Sequence, residues 1–272
     1  MPNLMHPALN QTAHRPWPLP AGPWVMAQSW HDLLFAHWPI DVAALRTTLR
    51  PHIPDALAID TFEGQAWIGV VPFRMSGVRL RATAAMPALS AFPELNVRTY
   101  VTHGNKPGVW FFSLDAANSI AVAIARAWFH LPYFNARMRC QEHVGWIDYT
   151  SERTHRGAIS AILRARYRPT RGTFEPQPAT LEYFLTERYC LYAAAPRNRI
   201  LRGEIHHPPW QLQPAEAEFR ENSMIQAAME CGAPAPLSLS SPRHPNIPLL
   251  HFARRQDVVV WNPQPISTAR QP

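Results

Sequence analysis

Of the 26 lysine and arginine residues in this 272-residue chain, only one, Lys106, is a lysine. That scarcity limits the covalent chemistry open to the protein, because carbonyl chemistry through a Schiff base needs an amine held in an apolar or cationic pocket that lowers its pKa. Lys106 lies in His103-Gly104-Asn105-Lys106-Pro107-Gly108, a run of turn formers between two strand-like segments, so it is expected at a solvated hairpin tip. Cysteine is scarce too. Cys140, Cys190 and Cys231 are far apart and include no Cys-x-x-Cys pair, which excludes a disulfide framework and a structural zinc site and fits a reducing, cytoplasmic setting. Nucleophile-elbow, Walker and dinucleotide fingerprints are all missing, as is His-Glu-x-x-His, so neither a nucleotide cofactor nor a bound metal is expected. Long apolar runs are absent from Met1 to Pro23, where six prolines fall; residues 1–24 read as a disordered leader, with no signal peptide and no membrane span.

What is present points to strands. The 29 prolines against 11 glycines disfavour long helices, and 47% hydrophobic residues suffice for a full core. One domain is expected over residues 25–262, followed by a flexible tail at 263–272. Strand-like segments fall at 27–38, 58–62, 65–74, 95–103, 109–114, 139–149, 158–167, 181–192, 200–206 and 249–261. Three helices complete the set: one from Asp41 to Leu49, an apolar one from Ala116 to Phe129 capped by Asp115, and one from Pro214 to Gly232. The apolar helix is expected to be buried against the mouth or flank of a curved sheet. No βαβ rhythm occurs, so the fold class is mainly β (α+β), an antiparallel barrel or strongly curved sheet with about three helices.

The formal charge of +7 favours anionic partners in general. Arg164, Arg166 and Arg168 share one strand face, with Arg171 beyond; a solvated outer face is the simpler reading, an anion-contacting stripe the other. No nucleic-acid-binding motif accompanies them, so nucleic acid is an unlikely partner. Four segments could line a pocket. In the first, Glu94, Asn96, Arg98 and Tyr100 alternate on one strand face, either into a barrel, where Arg98 beside Glu94 would hold an anionic or carbonyl ligand, or outward as a polar surface. The second, Glu187-Arg188-Tyr189, places Arg188 in a structural ion pair or a ligand contact. The third, His206-His207-Pro208-Pro209-Trp210, points its histidines opposite ways, which disfavours a metal pair but leaves one as a base. The fourth is Arg126-Ala127-Trp128-Phe129-His130-Leu131-Pro132-Tyr133.

These segments, together with the run from Lys106 to Ala116, resemble the signature blocks of the YqjF-like proteins (domain of unknown function 2071), in unbroken order from about Gln28 to Trp261. That group is in turn similar to the acetoacetate decarboxylase-like superfamily, which implies a β-barrel around a small-molecule cavity. The decarboxylase motif reads Arg-Glu-x-x-Gly-x-Pro-Lys, its lysine forming the Schiff base. Here Arg126 and Pro132 keep their spacing, whereas Ala127, His130 and Tyr133 replace the glutamate, the glycine and the lysine. Schiff-base decarboxylation is therefore rejected. The expectation is a small-molecule-binding barrel whose ligand, anionic or carbonyl-bearing, meets Arg98, Asn96, Tyr100, Arg126, Arg188 and His206. Any chemistry would be lysine-independent, with Tyr133 or His130 as proton donor and Glu94 or Glu187 as base. The alternative is a non-catalytic sensor or carrier.

Overall fold

The computed structural model describes residues 6–86, 90–229 and 247–266. The first long strands carry apolar side chains on both faces, the pattern of strands covered on both sides. In β1 (Met26–Ile40), Leu34, Ala36, Trp38 and Ile40 enter one core and Leu33 and Phe35 another. After α1 (Val42–Thr47) and the short β2 (Ala58–Ile59), β3 (Ala66–Leu80) divides in the same way, Ile68 and Val70 against Val71, Phe73 and Met75. In β4 (Phe92–His103), Leu95, Val97 and Val101 join the first core, while the other face carries Glu94, Asn96 and Arg98.

The chain continues through β5 (Lys106–Ala116), α2 (Ser119–Trp128), β6 (Tyr133–His143), β7 (Trp146–Arg153) and β8 (Ile162–Pro169). It then forms α3 (Leu181–Thr186), β9 (Cys190–Ala195), β10 (Arg199–His206), β11 (Gln213–Asn222), β12 (Leu249–Val260) and β13 (Gln264–Pro265). The protein is thus mainly β, with three α-helices among the described residues. Its strands form one sheet in the order β13-β10-β9-β5-β6-β7-β8-β11-β12-β1-β3-β4-β2, antiparallel except where β5 runs parallel to β6 and β9. Two further pairings, β4 with β5 and the end of β10 with β12, bring distant strands back together, so the sheet is strongly curved rather than a simple barrel. One circuit, β1-β3-β4-β5-β9-β10-β12, surrounds a cavity. Strands β6, β7, β8 and β11 cover the other face of β1, β3 and β4, and their phenols hold the two together: Tyr149 Oη donates to the carbonyls of Glu94 at 2.7 Å and Phe73 at 3.1 Å, and Tyr167 Oη to that of Asp32 at 2.7 Å. Among the described residues, no helix is long and apolar enough to cross a membrane.

Several local expectations change. Residues 213–222 form a strand, not the start of a helix, because Glu216, Glu218 and Glu221 stand opposite Arg168, Arg166 and Arg164 and pair with them across the ladder. Arg166 and Arg168 also lie over the Trp146 ring, so the arginine stripe is a ladder of neutralised, stacked side chains rather than a free cationic face. The expected end of that helix at Gly232 lies outside the described residues, as does Cys231. Residues 181–186 coil into a helix because Thr180 caps it, its hydroxyl accepting from the Tyr183 N–H. Asn118, not Asp115, caps α2, and Val122 alone of its side chains is buried, so this helix is not the buried element its apolarity suggested. Asp115 ends up inside β5, gripped by Arg153 at 2.8 Å.

The disordered leader is also corrected for residues 6–24. Pro7–Asn10 form a short 3-10 turn, Arg15 donates to the Ile205 carbonyl and to Glu204, and Trp24 packs with Val259 and Trp261. Lys106 is not at the hairpin tip either. Gly104 and Asn105 make the turn with φ of +54° and +59°, the positive values a two-residue hairpin requires. Lys106 opens β5 with its Nζ 2.6 Å from Glu204 Oε1 and its side chain only 14% exposed. In the expected tail, Gln264 and Pro265 pair with β10; residues 267–272 lie outside the described part.

Where β5 and β9 run side by side the backbones approach closely. A Cβ at Gly108 would sit 2.8 Å from the Cys190 carbonyl and sulfur and from the Tyr192 ring. Gly108→Ala is expected to lower stability by about 1–3 kcal/mol, the cost of overpacking a filled interior. An unchanged denaturant midpoint would show that the β5–β9 contact is looser than described.

Candidate functional site

The circuit encloses a cavity of 490 Å³. Most of its wall is apolar, built from the second face of β1 and β3, from Phe92 at the start of β4 and from α2. Its polar part is small. Alternation along β4 delivers Glu94, Asn96 and Arg98, β6 opens with Tyr133, α3 ends in Thr186 and is followed by Arg188, and the end of β10 leads to His207. The indoles of Trp30 and Trp210 also reach it, and neither indole N–H has a partner.

Glu94 is buried, 3% exposed, and accepts a 2.7 Å hydrogen bond from Tyr133 Oη. Burial is the largest influence on its carboxyl and, with the nearby Asp115, raises its pKa to about 8 against the opposing effect of Tyr133. At neutral pH Glu94 is therefore mostly a neutral acid. Burial and the same partner push the Tyr133 phenol well above its ordinary value, so it too keeps its proton. Tyr133 is held from behind, with Arg126 Nη1 donating to its carbonyl at 2.7 Å.

Arg98 is not beside Glu94 in an ion pair. Its Nη2 donates to the Leu185 carbonyl at 3.2 Å, its guanidinium lies over the rings of Phe35 and Tyr100, and its Nε has no partner. Among the described residues it makes no ion pair with a carboxylate. Asn96, 5% exposed, leaves its Oδ1 without a donor. Arg188 differs: it is tied to Asp60 at 2.5 Å and to the Phe184 carbonyl at 2.6 Å, so its charge is already compensated.

The structure thus brings Glu94, Asn96, Arg98, Tyr133 and Arg188 to one cavity and sets the other candidates elsewhere. Tyr100 lies behind the wall, donating to the Leu185 carbonyl at 2.7 Å; with its proton so used, His37 Nε2 must be the donor in their 2.6 Å contact. Glu187 accepts from Tyr189 Oη and from the Trp210 N–H at 3.0 Å, which fixes Trp210 rather than a ligand. His206 sits under the N-terminal segment, Nε2 against the carbonyls of Ala8 and Gln11. It is His207 that lines the cavity, with both ring nitrogens beside carbonyls, of Pro208 at 2.8 Å and Arg188 at 3.4 Å; burial lowers its pKa to about 4. His130 and Arg126 line a separate 580 Å³ depression with Arg50 and Arg153. Lys106 is in neither. Trp30 escaped the sequence reading, whereas His207 and Trp210 lay in a segment read as a possible lining whose ligand contact was assigned to His206; the opposed directions of adjacent histidines were a signal that only one of the pair faced inward. Among the described residues, no cluster of three metal-ligating side chains occurs.

The chain matches the DUF2071 family, described as an uncharacterized conserved protein, over residues 27–257. It is 45% identical over 243 residues to the uncharacterized protein YqjF of Bacillus subtilis (strain 168), covering 89% of this chain and 93% of that one. Among solved structures it is similar to the enduracididine biosynthesis enzyme MppR with HEPES buffer bound, with a TM-score of 0.60 and 12% identity over 91% of this chain and 90% of that one. It is also similar to the acetoacetate decarboxylase of Legionella pneumophila, with a TM-score of 0.57 and 14% identity over 97% of both chains. At such identities these two show the fold, which is acetoacetate decarboxylase-like.

The state of Glu94 has a measurable consequence. A carboxyl with a raised pKa in the fold and about 4.5 in the unfolded chain costs the fold nothing at pH 4.5; the cost grows as pH rises and is complete above about 8. Glu94→Gln removes it. Its stability should match the parent near pH 4.5 and exceed it by on the order of 3–5 kcal/mol above pH 8, measured by denaturant unfolding across that range. A difference independent of pH would show that Glu94 is ionised in the native cavity.

Proposed function

The chain belongs to the DUF2071 family, and we propose that its cavity binds a small organic molecule through a carboxylate or carbonyl head placed at Arg98. The observation that carries this reading is Arg98 itself, a guanidinium in a largely apolar wall that makes no ion pair with a carboxylate among the described residues and has an unpartnered Nε. A guanidinium keeps its charge inside proteins, whereas the nearby Glu94 sheds its charge by taking up a proton. An anionic head supplies the missing counter-charge. Neutral Glu94 then acts as a hydrogen-bond donor to a carbonyl oxygen, held in place by the proton that Tyr133 donates to its Oε2, and Arg126 serves as a positioning residue through the Tyr133 carbonyl. Amine chemistry has no place in this scheme, since Tyr133 stands where the decarboxylase motif has lysine and Lys106 is committed to Glu204.

One observation favours a sensor or carrier over an enzyme. Glu94 and Tyr133 hold protons near neutrality and His207 has both nitrogens against carbonyls, so the cavity offers acids but no ready base. Binding without turnover, in the cytoplasm where unpaired Cys140 and Cys190 persist, is the simplest use of such a site.

The structural neighbour MppR has been solved with pyruvate, which makes pyruvate and acetoacetate natural first probes. Calorimetry should detect binding, and Arg98→Lys, which keeps the charge but loses the planar fork, should weaken it by about 1.5–3 kcal/mol with near-normal melting. Equal affinity in that variant would remove Arg98 from the site. Borohydride with either keto acid should leave no adduct by mass spectrometry; a stoichiometric adduct on Lys106 would reverse the exclusion of amine chemistry.

A further inference from the structure

We infer that the occupant of this cavity is an amphiphile, with its carboxylate or carbonyl head at Arg98 and Asn96 and an aliphatic tail that leaves between α2 and the Leu80–Met86 segment; this rests on the ligand-binding reading of the same site. Polarity runs the opposite way to that of a site built for a small, water-like substrate. The polar groups are deep, Glu94 at 3% and Asn96 at 5% exposure, whereas the rim is apolar and open, with Ile124 at 48%, Ile120 at 52% and Met86 at 63%. All of them line one continuous cavity.

The rim is a feature of how α2 is written. Ile120, Ala121, Ile124, Ala125 and Trp128 recur at helical spacing and form one apolar stripe. Such a stripe normally packs on a core. Here all five residues line the cavity, and although Ala121, Ala125 and Trp128 also pack against the core, Ile120 and Ile124 stay exposed; Leu80, at the end of β3, and Met86 line it from the other side. A molecule the size of a keto acid would satisfy Arg98 while leaving the walls at Phe35, Phe73 and Phe92 and the whole rim in contact with water. A tail running from head to rim covers both, and removing that apolar area from water is the main source of affinity such a site can offer.

One polar group at the rim suggests the reverse orientation. Arg79 lines the cavity there, and its Nη1 makes a 3.4 Å contact with the Gly77 carbonyl. The deep placement is preferred because Arg98 holds a buried, unpartnered Nε–H that a carboxylate or carbonyl oxygen would satisfy.

The test is a series of straight-chain carboxylates, butyrate, octanoate and laurate, each below its micellar concentration, titrated into the full chain and followed by calorimetry and tryptophan fluorescence. Affinity should rise about fourfold per buried methylene, about a hundredfold or more from butyrate to octanoate. Ile124→Gln, on an exposed helical position, should erase much of the gain for laurate and leave butyrate unchanged. Arg98→Gln should weaken every member of the series, and Arg79→Gln none. If butyrate and pyruvate bind and longer chains bind no better, the tail is wrong and the head-group reading stands. If no carboxylate binds, both fall. Laurate binding that depends on Arg79 and not on Arg98 overturns the deep head. A ligand-free dimer that Ile124→Gln converts to monomer, with no laurate binding, shows that a second copy covers the rim and overturns the amphiphile.

Discussion

Over most of their length strands β1, β3 and β4 have no solvent face. One side packs against β6, β7, β8 and β11, the other lines the cavity, and each residue along them must suit whichever side alternation gives it. A slip of one residue in β4 would drive Glu94, Asn96 and Arg98 into a core built from Tyr149 and Tyr167 and turn Leu95 and Val97 into the cavity. The two phenols help to forbid that slip, since Tyr149 donates to the backbone carbonyls of Glu94 and Phe73 and Tyr167 to that of Asp32. The site owes its placement to this double burial, which permits polar residues on the cavity side at the cost of desolvating them.

That cost falls unequally on acids and bases. A carboxyl can escape it by holding a proton, and Glu94 does so with Tyr133 as its donor. A guanidinium cannot, and must find carbonyls, aromatic faces or an anion. Arg188 finds Asp60 and the Phe184 carbonyl, but Arg98 has one carbonyl and two rings. The result is a cavity that holds, beside neutral acids, a guanidinium without a carboxylate partner among the described residues, the feature on which the proposed negative or carbonyl-bearing head rests.

How far the sequence revealed this depends on the range of the interactions involved. The hairpin at Gly104-Asn105, the alternation of β4 and the strand-rich, strongly curved architecture are set by local chemistry, and all were legible. Residues 213–222 were misread because Pro214 and the later Gly232 look like helix punctuation, whereas the deciding contacts are three arginines some fifty residues away in β8. The helix at 181–186 was hidden in a segment whose aromatic content suits a strand, and only the cap at Thr180 argued otherwise. The inward turn of His207 rather than His206 depends on where β10 leaves its ladder with β12, after His206, and a chain read by itself does not give that register.

The N-terminal segment shows the same limit from another side. Its prolines suit an unfolded leader, yet its fate is decided by partners near the end of β10: Glu204 receives Arg15 at 3.1 Å, Lys106 at 2.6 Å and Arg202 at 2.9 Å, and His206 takes the carbonyls of Ala8 and Gln11. One largely buried carboxylate gathers three cations, and releasing any of them would leave charge exposed to an apolar setting. The only lysine in the described chain is thereby fixed as a structural counter-ion, outside the cavity, while tyrosine occupies the decarboxylase-like position inside it. Lys106 and Tyr133 are thus each held by a carboxyl group, one outside the cavity and one in its wall, and among the described residues no amine lines the cavity.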